Sequence, residues 1–492
     1  MFKQRLSLIE YILLALIALG VIAALVDLMH NRSLWLDEAM LSLNIVNKPY
    51  SGLLSPLDMN QVAPIGFLYV EKLMASIFGN QDWSLKIFPF ISYILSVPLL
   101  YVLSFKIFHS SKISLLACAL FATNIFIIRY GSEVKQYSTD IFVMLLILNF
   151  SFNYDGKQSK NYFYSSALIG SLAIWFSNIA VIGLCVIGLY YIYTRIFYKK
   201  HTDNIIFIPI AFWLLSFAVY YYSFIYNHPT KAFMVEYWSF RNAFLPQNIL
   251  SKEFYLFLFA KMKMIFPFLL GFKYNWIFSF SFFIIGLFSF SKPKNPLYLL
   301  LAPIFIHLLL SCFQLYPFDK RTVLYLIPTL LIFISAGVFS CHEMITKYGI
   351  KVPVFILFLI LSLNLIHLYK KIPSENEEIK KSLDYIHQKI GINDHVYIYF
   401  VSEPAYLFYN QHYINLKNRP YSILGDWKMK SWVNFENQIS SIKGKSWIVF
   451  TEVYDIGGLN GEHFIIDKLI NCGGKVLSSR KFTGSSCYEI YK

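Results

Sequence analysis

Two neighbouring carboxylates, Asp37 and Glu38, follow directly after the first long apolar stretch of the chain. A carboxylate within about 3 Å of a hydroxyl group can remove its proton as a new bond forms. Adjacent carboxylates can also raise one another's pKa, which would suit a base that works near neutral pH. The pair therefore predicts acid–base chemistry. The alternative is a structural one, because carboxylates also favour a helix N-terminus and can serve only as a cap.

Two further segments place cations at the ends of apolar stretches. Residues 129–137 have the sequence Arg-Tyr-Gly-Ser-Glu-Val-Lys-Gln-Tyr, and residues 316–321 have the sequence Tyr-Pro-Phe-Asp-Lys-Arg. Such groups often only anchor a helix at the membrane surface, and Asp319 can neutralise a neighbouring cation. If these segments meet Asp37, their cations would bind an anionic phosphate while the carboxylate deprotonates a hydroxyl group.

The elements that must position these groups are membrane helices. Of the 492 residues, 57% are hydrophobic and only 14% are charged, which excludes an ordinary water-soluble core. A span needs about 20 mostly apolar residues, so we predict a polytopic α-helical membrane protein with about eleven spans. Residues 39–43 and 64–74 are predicted to form short helices at the membrane surface. The predicted spans are 8–29, 85–105, 113–128, 138–153, 162–178, 179–196, 205–224, 275–290, 297–314, 322–340 and 353–370.

The lysines and arginines of the short loops predict the orientation. With the N-terminus in the cytoplasm, every cytoplasmic segment is net basic, and the chain is a multi-pass protein of the plasma (inner) membrane. The apolar run after residue 7 is then a retained signal anchor. The periplasmic or extracellular side receives residues 30–84, 129–137, 225–274, 315–321 and the tail after 371. The formal net charge of +15 is attributed partly to anionic lipid, and no nucleic-acid partner is expected.

The tail changes to the pattern of a soluble protein, so we divide the chain into residues 1–371 and a small external α/β domain, 372–492. A helix capped by Ser374 and ending near 390 is predicted, with a helical turn at 403–409 and a helix at 461–471. Strands are predicted at 396–401, at 447–451 and twice after Gly474. Cys472 and Cys487 are placed where an oxidising compartment permits a disulfide, and the sequence leaves that pairing open.

The chain resembles the polytopic glycosyltransferases of the GT-C superfamily, in particular the family 39-like group of protein O-mannosyltransferases and aminoarabinose transferases. The residues that carry this resemblance are the Asp37-Glu38 pair after the first span, residues 61–69 with Phe78-Gly79 behind them, and the turn 129–137. The similarity in layout covers about the first 370 residues. The external α/β tail is similar to the one that many bacterial members carry.

The resemblance implies that a sugar on a polyprenyl phosphate is transferred, with inversion, to a hydroxyl acceptor at the outer face. It assigns Asp37 as the general base, with Glu38 orienting the acceptor or sharing that role. A phosphate leaving group needs no general acid if its negative charge is neutralised. The substrate-binding candidates are Lys86, Arg129, Glu133, Lys135, Tyr137 and Arg321.

The chain departs from the family pattern at several positions. Val62-Ala63-Pro64 stands where many relatives have His-Pro-Pro, and Lys86 and Lys135 stand where relatives have arginine. Lysine offers a point charge without the two-pronged geometry of a guanidinium. Dependence on a divalent cation stays open, since Asp37, Glu38 and Glu133 offer oxygens but no histidine completes a shell. Aromatic residues in 225–274, such as Trp238, are assigned to the ordinary interfacial belt in preference to sugar stacking.

Two other functions remain as alternatives. A polysaccharide polymerase or ligase that uses diphosphate-linked glycans would need a large external loop rich in arginine and histidine, and residues 225–274 are only modestly so. A lipid or glycan transporter would place charges near the membrane midplane, whereas here they cluster at one face. The sequence specifies neither the sugar nor the acceptor nor the oligomeric state.

Overall fold

Most of the N-terminal part of the chain is helical. The computed structural model describes residues 6–152, 159–198, 204–271, 276–289, 297–346, 362, 365–412, 421–427, 433–456 and 458–492. The α-helices of the N-terminal part are Leu8–His30, Leu36–Asn47, Ile65–Phe78, Ile87–Phe108, Ser111–Ala122, Ile125–Gly131, Tyr137–Ser151, Lys160–Phe176, Ala180–Tyr198, Phe207–Tyr220, Lys231–Phe240, Lys252–Lys263, Trp276–Phe288, Leu297–Cys312 and Ile327–Thr346. Short 3₁₀ turns cover Gly52–Leu54, Ser84–Lys86, Asn204–Ile206 and Lys320–Leu326, and π-helical turns cover Tyr221–Ile225 and Met264–Leu269.

The protein is a multi-span membrane protein, as predicted. Within the described residues, five helical segments are long and apolar enough to cross a bilayer, and a sixth span is formed if the pair Ser111–Ala122 and Ile125–Gly131, bent by 64°, counts as one. Tyr137–Ser151, Trp276–Phe288 and Leu299–Cys312 are apolar but shorter. The predicted span 353–370 lies largely outside the described residues, so the number eleven stays a prediction.

The helical segment Lys320–Met344 lies at the centre of the bundle, and its residues 322–339 are all buried. It packs against Trp276–Phe288 through two glycines, Gly286 and Gly337. A Cβ added to Gly337 would collide with the backbone carbonyl of Phe282, and one added to Gly286 would collide with that of Phe333. Small residues let membrane helices approach this closely, and the contact holds the segment that begins near residue 320 in position along Trp276–Phe288.

The two short helices predicted at the membrane surface are present and longer than expected. They are Leu36–Asn47 and Ile65–Phe78. Leu36–Asn47 is buried along nearly its whole length, and helix Glu403–His412 of the tail packs against it. The apolar side chains of this helix are therefore covered by protein, and its position at the membrane surface stays a prediction.

The tail contains seven described strands, five of which form one mixed sheet. They are β1 His395–Tyr399, β2 Tyr421–Leu424, β3 Lys445–Thr451, β4 Asp455–Ile456, β5 Leu459–Asn460, β6 Lys475–Phe482 and β7 Ser485–Tyr491. The order in the five-stranded sheet is β2-β1-β3-β7-β6, and β4 and β5 form a separate pair. β1 pairs in parallel with β2 and β3, whereas β7 runs antiparallel to β3 and β6. The helices are Ile379–Lys389, Glu403–His412, Val433–Ser441 and Gly461–Asn471.

This mixed sheet confirms the predicted α/β character of the tail, with two corrections. β2 and helix Val433–Ser441 were not predicted. Ser374 is not the cap of the first helix, because that helix begins at Ile379 and its N-cap is Glu378. Cys472 is exposed, Cys487 is buried, and the structure does not pair them.

Candidate active site

Asp37 and Arg321 meet in an ion pair although 284 residues separate them in sequence. Asp37 lies in the first turn of helix Leu36–Asn47, and Arg321 is the second residue of the 3₁₀ turn Lys320–Leu326 that opens the central buried segment. The guanidinium Nη1 donates a hydrogen bond of 2.6 Å to Asp37 Oδ2. The first and third polar segments of the sequence are therefore neighbours in the fold, as predicted.

Aromatic rings surround this guanidinium. The ring centroids of Trp35 and Tyr137 each lie 5.8 Å from Arg321 Cζ, and that of Trp238 lies 5.5 Å away. Cation–π contacts of this kind hold a guanidinium without neutralising it. Trp238 was assigned to the interfacial belt, and the structure instead places it, largely buried, at Arg321.

Arg321 is available to Asp37 because the nearest acid in sequence has another partner. Asp319 pairs with Lys261 at 2.8 Å instead of neutralising the neighbouring cations. The backbone N–H of Asp319 donates a hydrogen bond of 3.0 Å to Thr322 Oγ1, which caps the 3₁₀ turn. The expectation that Asp319 neutralises a sequence neighbour is thus replaced by a contact with residues 225–274.

The Glu38 carboxylate has three partners among the described residues. Its carboxylate pairs with Arg32 at 2.6 Å and accepts hydrogen bonds from the backbone N–H groups of Val134 at 2.8 Å and Trp35 at 3.3 Å. The side chain of Glu38 is fully buried, whereas 23% of the Asp37 side chain is exposed. The two adjacent carboxylates therefore differ in access, and Glu38 joins the first polar segment to the second.

The remaining polar residues of the turn 129–137 also face the first segment. Trp35 Nε1 donates a hydrogen bond of 2.8 Å to Glu133, and Lys135 Nζ donates one of 2.8 Å to Gln61 Oε1. Both side chains are buried. The three polar segments, around residues 37, 129–137 and 316–321, therefore lie next to one another. The segment around Gln61 contacts them through Lys135.

The electrostatics of the site contradict the expectation that the adjacent carboxylates raise each other's pKa. Burial alone would raise the pKa of Asp37, but the positive charges of Lys135 and Arg321 outweigh it and lower that pKa below its usual value. The pKa of Glu38 is also lowered, because Arg32 and Lys86 outweigh the effect of burial. Burial together with the charge of Glu38 raises the pKa of Glu133. The neighbouring cations thus keep Asp37 ionised at neutral pH.

Two of the predicted phosphate ligands, Lys86 and Arg129, do not contact Asp37 in the structure. Lys86 is fully buried behind Glu38, and its ammonium donates to the carbonyl oxygen of Arg32 at 2.7 Å and to Asn31 Oδ1 at 3.3 Å. Arg129 is partly exposed, and its charge acts on Glu133. Lys86 therefore stabilises the segment before Asp37, while Arg129 stays near the second acidic group of the site.

Several contributors were not found from sequence. Arg32 is the ion-pair partner of Glu38, and Trp35 links Arg321 to Glu133. The tail supplies Glu377 and Glu452, which share a hydrogen bond, and the charge of Asp37 acts on Glu452. The positions of Arg32 and Trp35 beside the acidic pair were the available signal, whereas nothing local in the tail sequence marks its glutamates.

A metal site is not formed by these carboxylates. Glu38 is paired with Arg32, and Asp37 with Arg321, so each carboxylate already has a cation as its partner. In the described ranges, no three His, Cys, Asp or Glu side chains lie close enough together to hold a metal ion. The donor set that the family resemblance left open does not fit a divalent cation, and no chemical step is derived through one.

The chain is similar to known proteins in part of its sequence and in its fold. Residues 62–222 match the family model described as dolichyl-phosphate-mannose-protein mannosyltransferase. The structure of ArnT from Cupriavidus metallidurans bound to undecaprenyl phosphate matches 98% of this chain and 98% of its own, with a TM-score of 0.58 and 11% identity. Residues 62–222 are thus similar in sequence to that family, and the chain is similar in fold to ArnT.

The apo structure of the same ArnT matches 96% of this chain and 97% of its own, with a TM-score of 0.52 and 11% identity. The apo oligosaccharyltransferase of Archaeoglobus fulgidus matches 90% of this chain and 70% of its own at 10% identity, with a TM-score of 0.48. No curated protein matches the chain.

Proposed function

We propose that this protein is a GT-C glycosyltransferase that moves a sugar from a polyprenyl-phosphate donor to a hydroxyl acceptor, with inversion at the sugar carbon. The observation that carries the proposal is the 2.6 Å pair between Asp37, a partly exposed carboxylate, and Arg321, a guanidinium in an aromatic cage. The related ArnT structure contains undecaprenyl phosphate, which supports a lipid phosphate as the donor carrier.

Asp37 acts as the general base, and Glu38 has a structural role. Glu38 accepts three hydrogen bonds, including the ion pair with Arg32, and is closed to substrate. Asp37 has one oxygen on Arg321, and in the described part of the chain its Oδ1 accepts no hydrogen bond. That oxygen is the one available to a substrate hydroxyl group.

The reaction is a single displacement. The acceptor oxygen attacks the anomeric carbon from the face opposite the phosphate, the bond from that carbon to the phosphate oxygen breaks, and the configuration inverts. The hydroxyl proton passes to Asp37, and the bonding electrons leave with the polyprenyl phosphate. Because the leaving group is an anion, its stabilisation depends on nearby positive charge and not on a general acid.

Arg321 and Lys135 supply this positive charge. Both cations act on Asp37, so both face the position where acceptor and donor must meet. Arg321 binds Asp37 through one nitrogen, which leaves other donors of its planar group for a phosphate oxygen. The Tyr137 ring contacts the guanidinium of Arg321, and Arg129 and Glu133 belong to the turn that precedes Tyr137. Lys86 contributes at a distance through the segment before Asp37.

The site is assigned to the outer face of the plasma (inner) membrane, with the N-terminus in the cytoplasm. The basic short loops support this orientation. We divide the chain into a membrane-embedded catalytic domain, residues 1–371, and an external α/β domain, residues 372–492, which the onset of the mixed sheet supports. The acceptor would then be a molecule of the cell envelope, either a protein, a lipid or a glycan.

The donor class is tested by incubating the purified protein with labelled sugars on a polyprenyl monophosphate and on a polyprenyl diphosphate, together with a membrane extract as the source of acceptors. The proposal predicts labelled product from the monophosphate. Arg321→Gln should raise KM for the donor or lower kcat by at least tenfold, whereas Arg195→Gln, which contacts Asn204 outside the site, should match the unmodified protein. Product from the diphosphate alone would favour a polymerase or ligase instead.

A further inference from the structure

The external tail contacts the short segment that leads into Asp37. Residues 32–35 belong to no helix or strand, and they connect the end of Leu8–His30 with the start of Leu36–Asn47. A segment of this kind has no backbone ladder of its own, so its N–H groups need other acceptors. The conformation at Asp37 therefore depends on which groups accept them.

Two of these acceptors come from the tail. The backbone N–H of Leu34 donates to the hydroxyl oxygen of Tyr409 at 2.7 Å, and that of Leu36 donates to Glu377 Oε2 at 3.1 Å. Leu36 is the first residue of the helix that carries Asp37, and the first N–H groups of any helix lack partners within it. Glu377 thus caps the catalytic helix from a position 341 residues away in sequence.

A buried ion pair holds Tyr409 in place. Its hydroxyl donates to Asp82 Oδ2 at 2.9 Å, and the same carboxylate oxygen pairs with Lys380 Nζ at 2.8 Å. Asp82 also accepts a hydrogen bond of 2.8 Å from Asn31 Nδ2, next to the segment in question. The backbone N–H of Lys380 donates to Ser33 Oγ at 3.1 Å. Tail and membrane domain are joined at the residues that precede the base.

We propose that Glu377 and Tyr409 of the tail are positioning residues for sugar transfer, because they fix the backbone at Leu34 and Leu36 and so place the Asp37 carboxylate. This inference rests on the proposed function, in which Asp37 is the base. A base displaced by about 1 Å costs roughly 10²-fold in rate even when every reacting group is present. The tail is then a part of the active site and not only a cover over it.

The protonation state of Glu377 supplies a chemical control. Burial and the charge of Glu452 raise the pKa of Glu377 to about 9, so that this residue is neutral at pH 7 and donates its proton to Glu452. Glutamine has the same shape, an oxygen that accepts from Leu36 and an N–H that donates to Glu452. Glu377→Gln therefore preserves both contacts, and Glu377→Ala removes both.

The test compares steady-state transfer by full-length Glu377→Ala, Glu377→Gln and Tyr409→Phe with a labelled polyprenyl-monophosphate sugar. We expect kcat to fall at least tenfold in Glu377→Ala and Tyr409→Phe, with KM for the donor within about twofold of the unmodified protein. Glu377→Gln should keep at least half of kcat. The matched control is Lys381→Ala in the helix that follows Glu377. Its partner Glu375 is exposed, and this variant should not change kcat.

Unchanged kcat in Glu377→Ala or in Tyr409→Phe overturns the inference, and so does an equal loss in Glu377→Gln and Glu377→Ala. If Glu377→Ala does not elute as a monodisperse species in detergent, Tyr409→Phe, which removes one oxygen, decides by the same kcat criterion. Asp37→Asn separates the two proposals. Activity in Asp37→Asn rejects the base assignment itself, whereas loss there with full activity in Tyr409→Phe rejects only the positioning role.

Discussion

Asp37 and Glu38 are adjacent in sequence, yet their surroundings give them different chemistry. Glu38 is enclosed by Arg32 and by the backbone of Val134, while the Asp37 side chain is partly exposed. The difference follows from their directions at the start of a helix, where successive side chains point about 100° apart. In the proposed reaction, Glu38 therefore stabilises the site and Asp37 is the base.

Glu38→Gln should lower stability much more than Asp37→Asn. Removing one member of a fully buried ion pair leaves the Arg32 charge without compensation, at a cost of about 3–5 kcal/mol. The pair of Asp37 with Arg321 is partly exposed and is weaker in this respect. Thermal unfolding of the two variants in detergent measures this difference, and equal melting temperatures would show that Glu38 does not hold the site together.

Loss of Arg321 should shift the acid limb of the pH profile. The pKa of Asp37 is lowered by Lys135 and Arg321, so the carboxylate persists as the pH falls and is lost only below its usual value. In Arg321→Gln one of these charges is absent, and the pKa of Asp37 must rise. The acid limb of kcat/KM should therefore move to higher pH, whereas Arg195→Gln leaves it in place. If the acid limb does not move in Arg321→Gln, the group that titrates there is not Asp37.

Residue types at the site were largely predictable, and their partners were not. A carboxylate after the first span, and cations in two other segments, follow from where charges sit in an apolar chain. The pairing of Glu38 with Arg32 and of Asp319 with Lys261 depends on side-chain directions that composition does not contain. For the same reason the predicted direction of the Asp37 pKa shift was wrong, because the sequence does not show how strongly Lys135 and Arg321 act on this carboxylate.

At the scale of elements, the central buried segment sets where Arg321 lies. Its contact with Trp276–Phe288 requires glycine at residue 337, because a Cβ there would collide with the Phe282 carbonyl. Gly337→Ala should separate the two helices, lower the melting temperature and reduce transfer. Gly188→Ala is the matched control, since its Cβ would make only an ordinary contact with Ile210 at 3.8 Å. Equal melting temperatures of the two variants would contradict this role for Gly337.

Elements with a strong periodic or apolar signal were predicted well, including Leu8–His30 and the strands β1 and β3. Shorter ones were missed, such as β2, a four-residue strand that depends on its pairing with β1. The packing of helix Glu403–His412 on Leu36–Asn47 was not predicted, because the two helices lie at opposite ends of the chain. Local pattern does not contain contacts of that sequence separation.

For the whole molecule, the proposed orientation places the tail outside the membrane. Cys472 is exposed and Cys487 is buried, so a variant that keeps only Cys472 offers one accessible thiol in the tail. A membrane-impermeant maleimide should label it in intact cells, and a variant that keeps only Cys487 should react only after denaturation. Labelling of Cys472 only after the cells are opened would place the tail, and with it the site, in the cytoplasm.

The most direct measurement is the single-turnover rate of sugar transfer by purified Asp37→Asn at saturating polyprenyl-monophosphate sugar, together with its affinity for the donor. Asparagine keeps the shape of the side chain but is not a base, and a general base contributes about 10²–10⁴-fold. The rate should therefore fall at least 100-fold while the donor still binds within several-fold of the unmodified protein. A rate close to that of the unmodified protein would contradict the assignment of Asp37, and with it the proposed reaction at this site.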